Sequence, residues 1–254
     1  MVVLFSPEKP SRVLETAGPS IPYSAFLAEG PASPPTCLSP YALLAAYHGG
    51  EKPARPALRT ARNRANTEGP HMKLVIASDI HGAADWCERL MAAVEAESPD
   101  RIVLLGDLLY HGPRNDLPAD YAPKRVIEML NSIADQVIAV RGNCEAEVDQ
   151  MVLSFPCMAD HNVLVDPAAG NKTLFFTHGH VYGPGLHNSV DKWPALPAGS
   201  ALVYGHTHKK ALQEVEGHPG ITVFNPGSVG IPKDGTHSFG VYEDGVFSHR
   251  ILGE

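Results

Sequence analysis

Three features are scarce or absent in this sequence: cysteine, an excess of positive charge, and long apolar runs. Only four of the 254 residues are cysteines, and they show neither a CxxC pair nor the spacing of a disulfide framework, which indicates a reducing, cytoplasmic compartment. The net charge of −8 argues against binding nucleic acid through bulk positive charge. No stretch approaches the ~18 apolar residues of a membrane span, so we expect no membrane partner.

Proline and histidine are abundant but unevenly distributed. Residues 1–71 hold 11 of the 23 prolines and only 2 of the 13 histidines. Because the prolines interrupt every potential helix or strand, this segment cannot bury enough apolar surface to offset the entropy of ordering it. Its charge is +2, which leaves −10 for the remainder. We expect residues 1–71 to be a Pro-rich, disordered N-terminal extension and residues 72–254 to form the folded domain.

The first half of residues 72–254 alternates between predicted strands and helices. The apolar runs at 73–78, 101–105 and 136–140 have the length and composition of buried strands. Helical periodicity covers 83–97 and 123–134. This alternation predicts right-handed crossovers and a largely parallel sheet.

The second half contains further strands but few helices. Asp244 and Gly245 are typical of a hairpin turn between the last two of these strands. With few helices to connect parallel strands, we expect antiparallel pairs here. The prediction for the domain is an α/β fold in which two sheets pack face to face with helices outside. The predicted strands cover residues 172–177, 201–204, 211–216, 221–224, 239–242 and 246–251.

Five of the predicted strands end in polar residues flanked by glycine. Alone, each has a simpler interpretation: Asp79 as a helix N-cap, for example, or His178 as an ordinary loop histidine. Their recurrence at strand ends, where α/β sheets bind ligands, favours one shared site. The set contains Asp79, His81, Asp107, Asn143, His178, His206 and His208.

This set offers oxygen and imidazole nitrogen ligands without a thiolate. Such a mixture suits Mn²⁺, Fe²⁺, Zn²⁺ or Co²⁺ better than a structural Cys-zinc site. Seven ligands are too many for one ion, whereas two ions that share a carboxylate would use them all. Two metals ~3.5–4 Å apart are a recurrent arrangement for phosphoryl transfer.

In this order the motifs resemble those of the calcineurin-like metallophosphoesterases, and within that superfamily the small YfcE-type phosphodiesterases. The resemblance covers essentially all of residues 72–254, and as a set the motifs are highly specific. They are Asp79-x-His81, Gly106-Asp107, Gly142-Asn143, His178-Gly179-His180 and Gly205-His206-x-His208.

The resemblance implies a four-layer α/β/β/α sandwich of two mixed sheets and a phosphodiesterase that works on a small-molecule phosphoester. It implies two divalent ions, most often manganese, with zinc, iron or nickel as alternatives, and a hydroxide bridging them as the nucleophile. The first ion would be held by Asp79, His81, Asp107 and His208. The second would be held by Asp107, Asn143, His178 and His206, with Asp107 bridging. Relatives form dimers or tetramers, so a homo-oligomer is expected.

Further residues in the motifs are candidates for catalysis and substrate binding. Arg114 and Asn115 could bind the phosphate, because a guanidinium matches two phosphate oxygens. His111 and His180 could donate a proton or orient neighbouring groups. Cys144 stands where most of the superfamily has a histidine, and a thiol of pKa ~8.5 is a poorer leaving-group acid than an imidazole.

Asn225 and Ser228, in a Pro-Gly turn, are interpreted as orienting the backbone around the site.

The alternatives to a phosphodiesterase are a phosphomonoesterase or nucleotide phosphatase on the same metals, a nuclease, and a non-enzymatic protein-binding scaffold. The acidic domain disfavours the nuclease, and the complete ligand set disfavours the scaffold.

Overall fold

The computed structural model describes residues 71–253. We interpreted residues 1–71 as a disordered, Pro-rich extension. Apart from His71, these residues lie outside the described part of the chain. No helix within residues 71–253 has the length and hydropathy needed to cross a membrane.

Three parallel strands form the middle and one edge of the first sheet. They are β1 (Lys73–Ala77), β2 (Arg101–Leu104) and β3 (Val137–Ala139), paired in that order. Helix α1 (Ala84–Glu97) connects the first two strands, and α2 (Pro123–Ser132) connects the second and third. The predicted alternation and parallel pairing are confirmed.

The second sheet is also five-stranded and mixed. After helix α3 (Glu147–Val152), the chain forms β4 (His161–Asp166), β5 (Lys172–Thr177), β6 (Gly183–Pro184), β7 (Asp191–Lys192), β8 (Ala201–Val203), β9 (Lys210–Glu214) and β10 (Thr222–Pro226). Strands β6 and β7 pair separately as a short ribbon. The second sheet has the order β4-β5-β8-β10-β9.

The antiparallel pairing expected in the second half is only partly correct. Strands β4 and β9 are antiparallel to their neighbours, but β5, β8 and β10 are mutually parallel. The expectation rested on the scarcity of helices in this half. The connection between β5 and β8 crosses back without one, through loops and the β6–β7 ribbon.

A hairpin completes the first sheet. Strands β11 (Ser238–Glu243) and β12 (Val246–Ile251) pair antiparallel, and β11 pairs antiparallel with β1. The turn between them is the predicted one, since Asp244 and Gly245 both have left-handed backbone, with φ of 53° and 81°. The sheet has the order β12-β11-β1-β2-β3.

One core lies between the two sheets, and a larger one lies between the first sheet and helices α1 and α2. Alternate residues of β1 divide between its faces: Leu74 and Ile76 point to the second sheet, and Val75 packs among residues of α1 and α2. Burial on both faces explains why these strands are continuous apolar runs. The inter-sheet core consists of Leu74, Ile76, Val103, Leu105, Val140, Leu174, Phe176, Ala201, Val203, Phe224, Tyr242 and Phe247.

The expected α/β architecture of two mixed sheets with helices is confirmed. On the outer face of the second sheet, Phe175 and Leu202 are buried beneath side chains that include Tyr182 and Trp193. Most of these covering side chains come from the loops between β5 and β8. Together the layers fix the strand ends from which the polar loops project.

Replacing Phe224 by Ala should lower the free energy of unfolding by ~3–5 kcal/mol, because it leaves a cavity between the sheets. Phe224 is fully buried and stacks on Phe247, with ring centroids 4.7 Å apart. Urea denaturation followed by circular dichroism measures the change. Val246→Ala, at a side chain 66% exposed, is the matched control and should change stability by less than ~0.5 kcal/mol. Equal effects of the two substitutions would contradict this account of the core.

Candidate metal centre

Loops from both sheets bring the predicted ligands together at one end of the molecule. Asp79 and His81 follow β1, Asp107 follows β2, and Asn143 follows β3. From the second sheet, His178 follows β5, and the loop after β8 carries His206 and His208. Each loop leaves the carboxyl end of a parallel strand, which explains why positions up to 129 residues apart converge.

The Asp79 carboxylate is fully buried, and only one of its oxygens is satisfied. Oδ2 accepts hydrogen bonds from Ser78 Oγ at 2.6 Å and from the His206 backbone N–H at 3.0 Å. Oδ1 has no hydrogen-bond partner among the described residues and lies 3.2 Å from His208 Nε2. Because an unsatisfied buried acceptor is costly, this oxygen is placed to bind a cation.

Three of the histidines are held in the tautomer that a metal ligand needs. The Nδ1 of each is within hydrogen-bond distance of a backbone carbonyl, which can only accept, so Nδ1 carries the proton. In the neutral ring Nε2 then presents its lone pair to the centre. The pairs are His81 with Tyr110 at 2.7 Å, His178 with Leu105 at 2.7 Å, and His208 with Ile231 at 2.6 Å.

Asp107 lies between two groups of these donors. Its Oδ2 is 3.6 Å from His81 Nε2 and 3.4 Å from His178 Nε2. On the first side, His81 Nε2 is 3.2 Å from His208 Nε2. Asp107 Oδ2 therefore faces imidazole nitrogens on both sides.

The second side of the centre is more open. The Nε2 atom of His178 lies 3.2 Å from Asn143 Oδ1 and 3.3 Å from His206 Nδ1. Asn143 is exposed and His206 is half-buried, whereas His178 is fully buried. A substrate can therefore approach from the side of Asn143 and His206.

The backbone at the site is strained. Non-glycine residues in left-handed conformation cost about 1–3 kcal/mol each and cluster at functional sites. Five of the candidate ligands adopt it: Asp79 (φ 55°), His81 (50°), Asp107 (55°), His206 (67°) and His208 (57°). Ordinary loops rarely bring so many left-handed non-glycine residues together. Their clustering here therefore supports a functional interpretation.

Two glycines allow the loops to approach each other. A Cβ atom on Gly142 would lie 2.1 Å from Asp107 Oδ1, and one on Gly205 would lie 1.9 Å from Ser78 Oγ. Neither position can accept a side chain without displacing a carboxylate of the centre or the group bonded to it. This explains why glycine flanks the polar residues in these motifs.

Side-chain hydrogen bonds from β10 and from the loop after it support the centre, as expected for Asn225 and Ser228. The Asn225 amide donates to the Gly205 carbonyl at 2.9 Å and to Thr207 Oγ1 at 3.1 Å. The Ser228 hydroxyl donates to the Asp79 carbonyl at 2.8 Å. Both side chains are fully buried and orient the backbone that carries candidate ligands.

Charge and burial act in opposite directions on the titratable groups. Burial alone would lower the pKa of His178, but the Asp107 and Asp79 carboxylates raise it to about 9. For Asp107 burial acts to raise the pKa, and the neighbouring imidazole of His178 more than reverses this, giving a pKa of about 2. In the metal-free protein at pH 7, the His178 ring therefore carries a second proton beside Asp107.

The remaining predicted residues surround the centre. The His180 ring lies 5.3 Å from that of His178, and burial lowers its pKa to about 4, with the charge of His178 adding to the effect. A carboxylate oxygen of Asp107, His81 and the Cys144 thiol offer atoms within 4.8 Å of one another. Burial raises the pKa of Cys144, and Asp107 raises it further.

The loop that follows β2 carries the other three. His111 lies edge-on to Tyr110 and Tyr121, and its buried Nδ1 has no hydrogen-bond partner within residues 71–253. Arg114 is exposed. The Asn115 side-chain amide donates to the His111 carbonyl at 2.8 Å, so it shapes the loop.

Two residues of the site were not identified from the sequence. Ser78 orients Asp79, and its position at the end of the strand is the only signal for it. Glu145 accepts three backbone hydrogen bonds from the loops that carry Asp107 and Asn143. A glutamate two residues after Asn143 has no sequence feature that separates it from the exposed Glu147.

The donor atoms fit divalent cations. An unsatisfied buried carboxylate oxygen, a second carboxylate between two groups of imidazoles, and an amide oxygen are ligands that Mn²⁺, Fe²⁺, Zn²⁺ and Ni²⁺ accept. Among the described residues, the groups with metal-binding spacing include Asp79 with His81 and His208, and Asp79 with Asp107 and His178.

Comparison with known proteins gives a consistent result. The family model of the calcineurin-like phosphoesterase superfamily domain matches residues 72–244. The phosphodiesterase YfcE of Escherichia coli K12 is 48% identical over 185 residues, which is 72% of this chain and 94% of that protein. A solved structure of YfcE, described as a phosphoesterase from E. coli, has a TM-score of 0.61 and 42% identity, and the match covers 72% of this chain and all of that one.

Binding of Mn²⁺ should release protons and should strengthen as the pH rises. The metal-free His178 ring, with a pKa of about 9, is doubly protonated at pH 7, and an ion must displace the proton on Nε2. The affinity for Mn²⁺ should therefore increase as the pH rises towards 9 and should be lower at more acidic pH. Isothermal titration in Tris and in PIPES, which differ in ionisation enthalpy, measures the protons released. Identical heats in the two buffers would contradict the prediction.

Proposed function

The chain belongs to the calcineurin-like phosphoesterase superfamily, and on that basis we propose that it is a phosphodiesterase that depends on two divalent cations. The observation that carries the proposal is the position of Asp107, whose Oδ2 lies between His81 and His178 at 3.6 and 3.4 Å. The relative YfcE, named a phosphodiesterase, supports diester rather than monoester cleavage. The substrate is a small organic phosphodiester.

The residues divide into two ligand sets with one member in common. Asp79, His81, Asp107 and His208 form the first, and Asp107, Asn143, His178 and His206 form the second. Manganese is the proposed ion, with zinc, iron and nickel as alternatives that this donor set also accepts. Such ions, when bound, lower the pKa of water and neutralise charge on phosphoryl oxygens.

The protein's own groups prepare the site for an anionic substrate. The carbonyl tethers on His81, His178 and His208 hold three rings rigidly, so little reorganisation is needed when the substrate arrives. The exposed Arg114 is available to bind two phosphate oxygens. With its lowered pKa, His180 is neutral at pH 7, so one ring nitrogen can donate a hydrogen bond and the other can accept one.

The leaving group is the least assisted part of the reaction. The Cys144 thiol lies beside His81 and Asp107, and its raised pKa keeps it protonated but makes it a weak acid. Esters with good leaving groups should therefore react fastest. His111, with an unpartnered Nδ1 among the described residues, is the proposed auxiliary donor.

The proposed setting is the reducing cytoplasm, with a homo-oligomer, either a dimer or a tetramer, as the working form. Cys87, Cys144 and Cys157 are free thiols, which supports a reducing compartment. The acidic character of residues 72–254 supports small phosphoesters over nucleic acid as substrates.

After chelation, the protein should hydrolyse bis-p-nitrophenyl phosphate only when Mn²⁺ is restored, and faster than p-nitrophenyl phosphate. Release of p-nitrophenol measures both rates. Asp107→Asn should abolish the activity because it removes charge from both ligand sets, and the exposed Asp135→Asn is the matched control that should retain it. Faster cleavage of the monoester would indicate a phosphomonoesterase. Absence of metal-dependent cleavage of either ester would favour a binding scaffold.

Cys144→His should increase hydrolysis of alkyl phosphodiesters, whose leaving groups need a proton, by ~10-fold or more, because an imidazole is a better general acid near neutral pH. Hydrolysis of bis-p-nitrophenyl phosphate should change less, since nitrophenolate leaves without assistance. The ratio of the two rates measures the effect, and Cys144→Ala provides the comparison. An unchanged ratio would exclude leaving-group protonation as the limit on substrate range.

A further inference from the structure

Glu145 belongs to neither ligand set, yet its side chain joins two of the loops that carry ligands. It is only 8% exposed. One oxygen, Oε2, accepts the N–H of Asp107 at 2.9 Å and also the N–H of Gly142. The other, Oε1, accepts the N–H of Leu108 at 2.7 Å. The loop after β2 is thereby fastened to the loop after β3.

Only a carboxylate can make this set of hydrogen bonds. All three partners are backbone donors, and they are divided between the two oxygens, so both oxygens must be acceptors. A glutamine has the same shape but would place an NH₂ group against at least one N–H. At least one buried backbone donor would then lose its partner.

The bonds of Glu145 act on the backbone of Asp107, a residue held at φ 55°. The neighbouring residue completes the arrangement, because the Cys144 N–H donates to Asp107 Oδ1 at 2.9 Å. Glu145 thus fixes the main chain of Asp107 while Cys144 fixes one carboxylate oxygen. The other oxygen, Oδ2, is left facing His81 and His178.

We propose that Glu145 is a positioning residue that holds Asp107 where its carboxylate can serve both ligand sets. The proposal rests on the proposed two-ion function. Both carboxylate oxygens of Glu145 are occupied by backbone N–H groups, and Glu145 is in none of the groups of described residues with metal-binding spacing. Its loss should therefore be seen first in the affinity for metal.

The test is titration of Co²⁺ into the metal-freed, full-length protein, followed by the visible absorption of the ion, for wild type and Glu145→Gln. The variant should bind Co²⁺ ~10–100-fold more weakly, the usual effect of removing a group that orients a metal ligand. Thermal unfolding is measured on the same samples to separate affinity from stability.

Asp166→Asn is the matched control, because it makes the same carboxylate-to-amide change in another buried network. Asp166 is 1% exposed and accepts hydrogen bonds from Tyr242 Oη at 2.6 Å and from the Ala168 N–H at 3.0 Å. It lies at the end of β4 beside the start of β5, whereas the candidate ligand His178 follows the other end of β5. This variant should lower the unfolding temperature and leave Co²⁺ affinity unchanged.

Three results would overturn the proposal. The first is a folded Glu145→Gln that binds Co²⁺ within twofold of wild type. The second is an equal loss of affinity in Asp166→Asn, which would show an effect of stability alone. If Glu145→Gln does not fold, Glu145→Asp replaces it, because aspartate keeps both acceptor oxygens but withdraws them by one methylene. The third result is a Glu145→Asp variant that binds Co²⁺ as tightly as wild type. Failure of wild type itself to bind Co²⁺ would instead refute the two-ion function.

Discussion

The structure depends on two carboxylates buried close together. Asp79 and Asp107 are almost inaccessible to solvent, and an oxygen of each lies within 4.8 Å of the other. Like charges at this distance and burial repel strongly unless positive charge compensates them. In the metal-free protein the His178 imidazole supplies part of it, because the two carboxylates raise the pKa of this ring to about 9. With a cation bound, the same ring becomes a neutral ligand.

The strained backbone of the loops follows from the need to bring the two carboxylates and the compensating groups together. A chain that must direct several polar side chains at a common point cannot keep ordinary loop conformations, and residues such as Asp79 and His208 adopt left-handed backbone. The strain is tolerated because each loop leaves a strand buried on both faces. Ions that bind only the folded state contribute further free energy against unfolding. The rigid sheets therefore serve as the support on which an unfavourable arrangement of polar groups is maintained.

The convergence of the candidate ligands is easier to predict from the sequence than the structure that supports them. The recurrence of Asp, Asn and His after glycine-flanked strands identified all seven convergent side chains, and apolar runs buried on both faces identified β1 and β2. Strand β4 was missed because it is a half-exposed edge strand whose apolar run, at residues 163–165, is short. The parallel order of the second sheet was missed because no helix marks its crossovers. Glu145 was missed because burial, which distinguishes it from the exposed Glu147, is a property of the tertiary fold.

The hairpin that completes the first sheet has a consequence for the order of folding during synthesis. Lys73, at the start of β1, pairs with Glu243 of β11, so the strand that delivers Asp79 has an open edge until nearly the whole domain has been translated. Contacts so distant in sequence form slowly and expose unpaired strand edges in the meantime. A ribosome-bound chain that ends before β11 therefore resembles a client of chaperones more than a partly active enzyme.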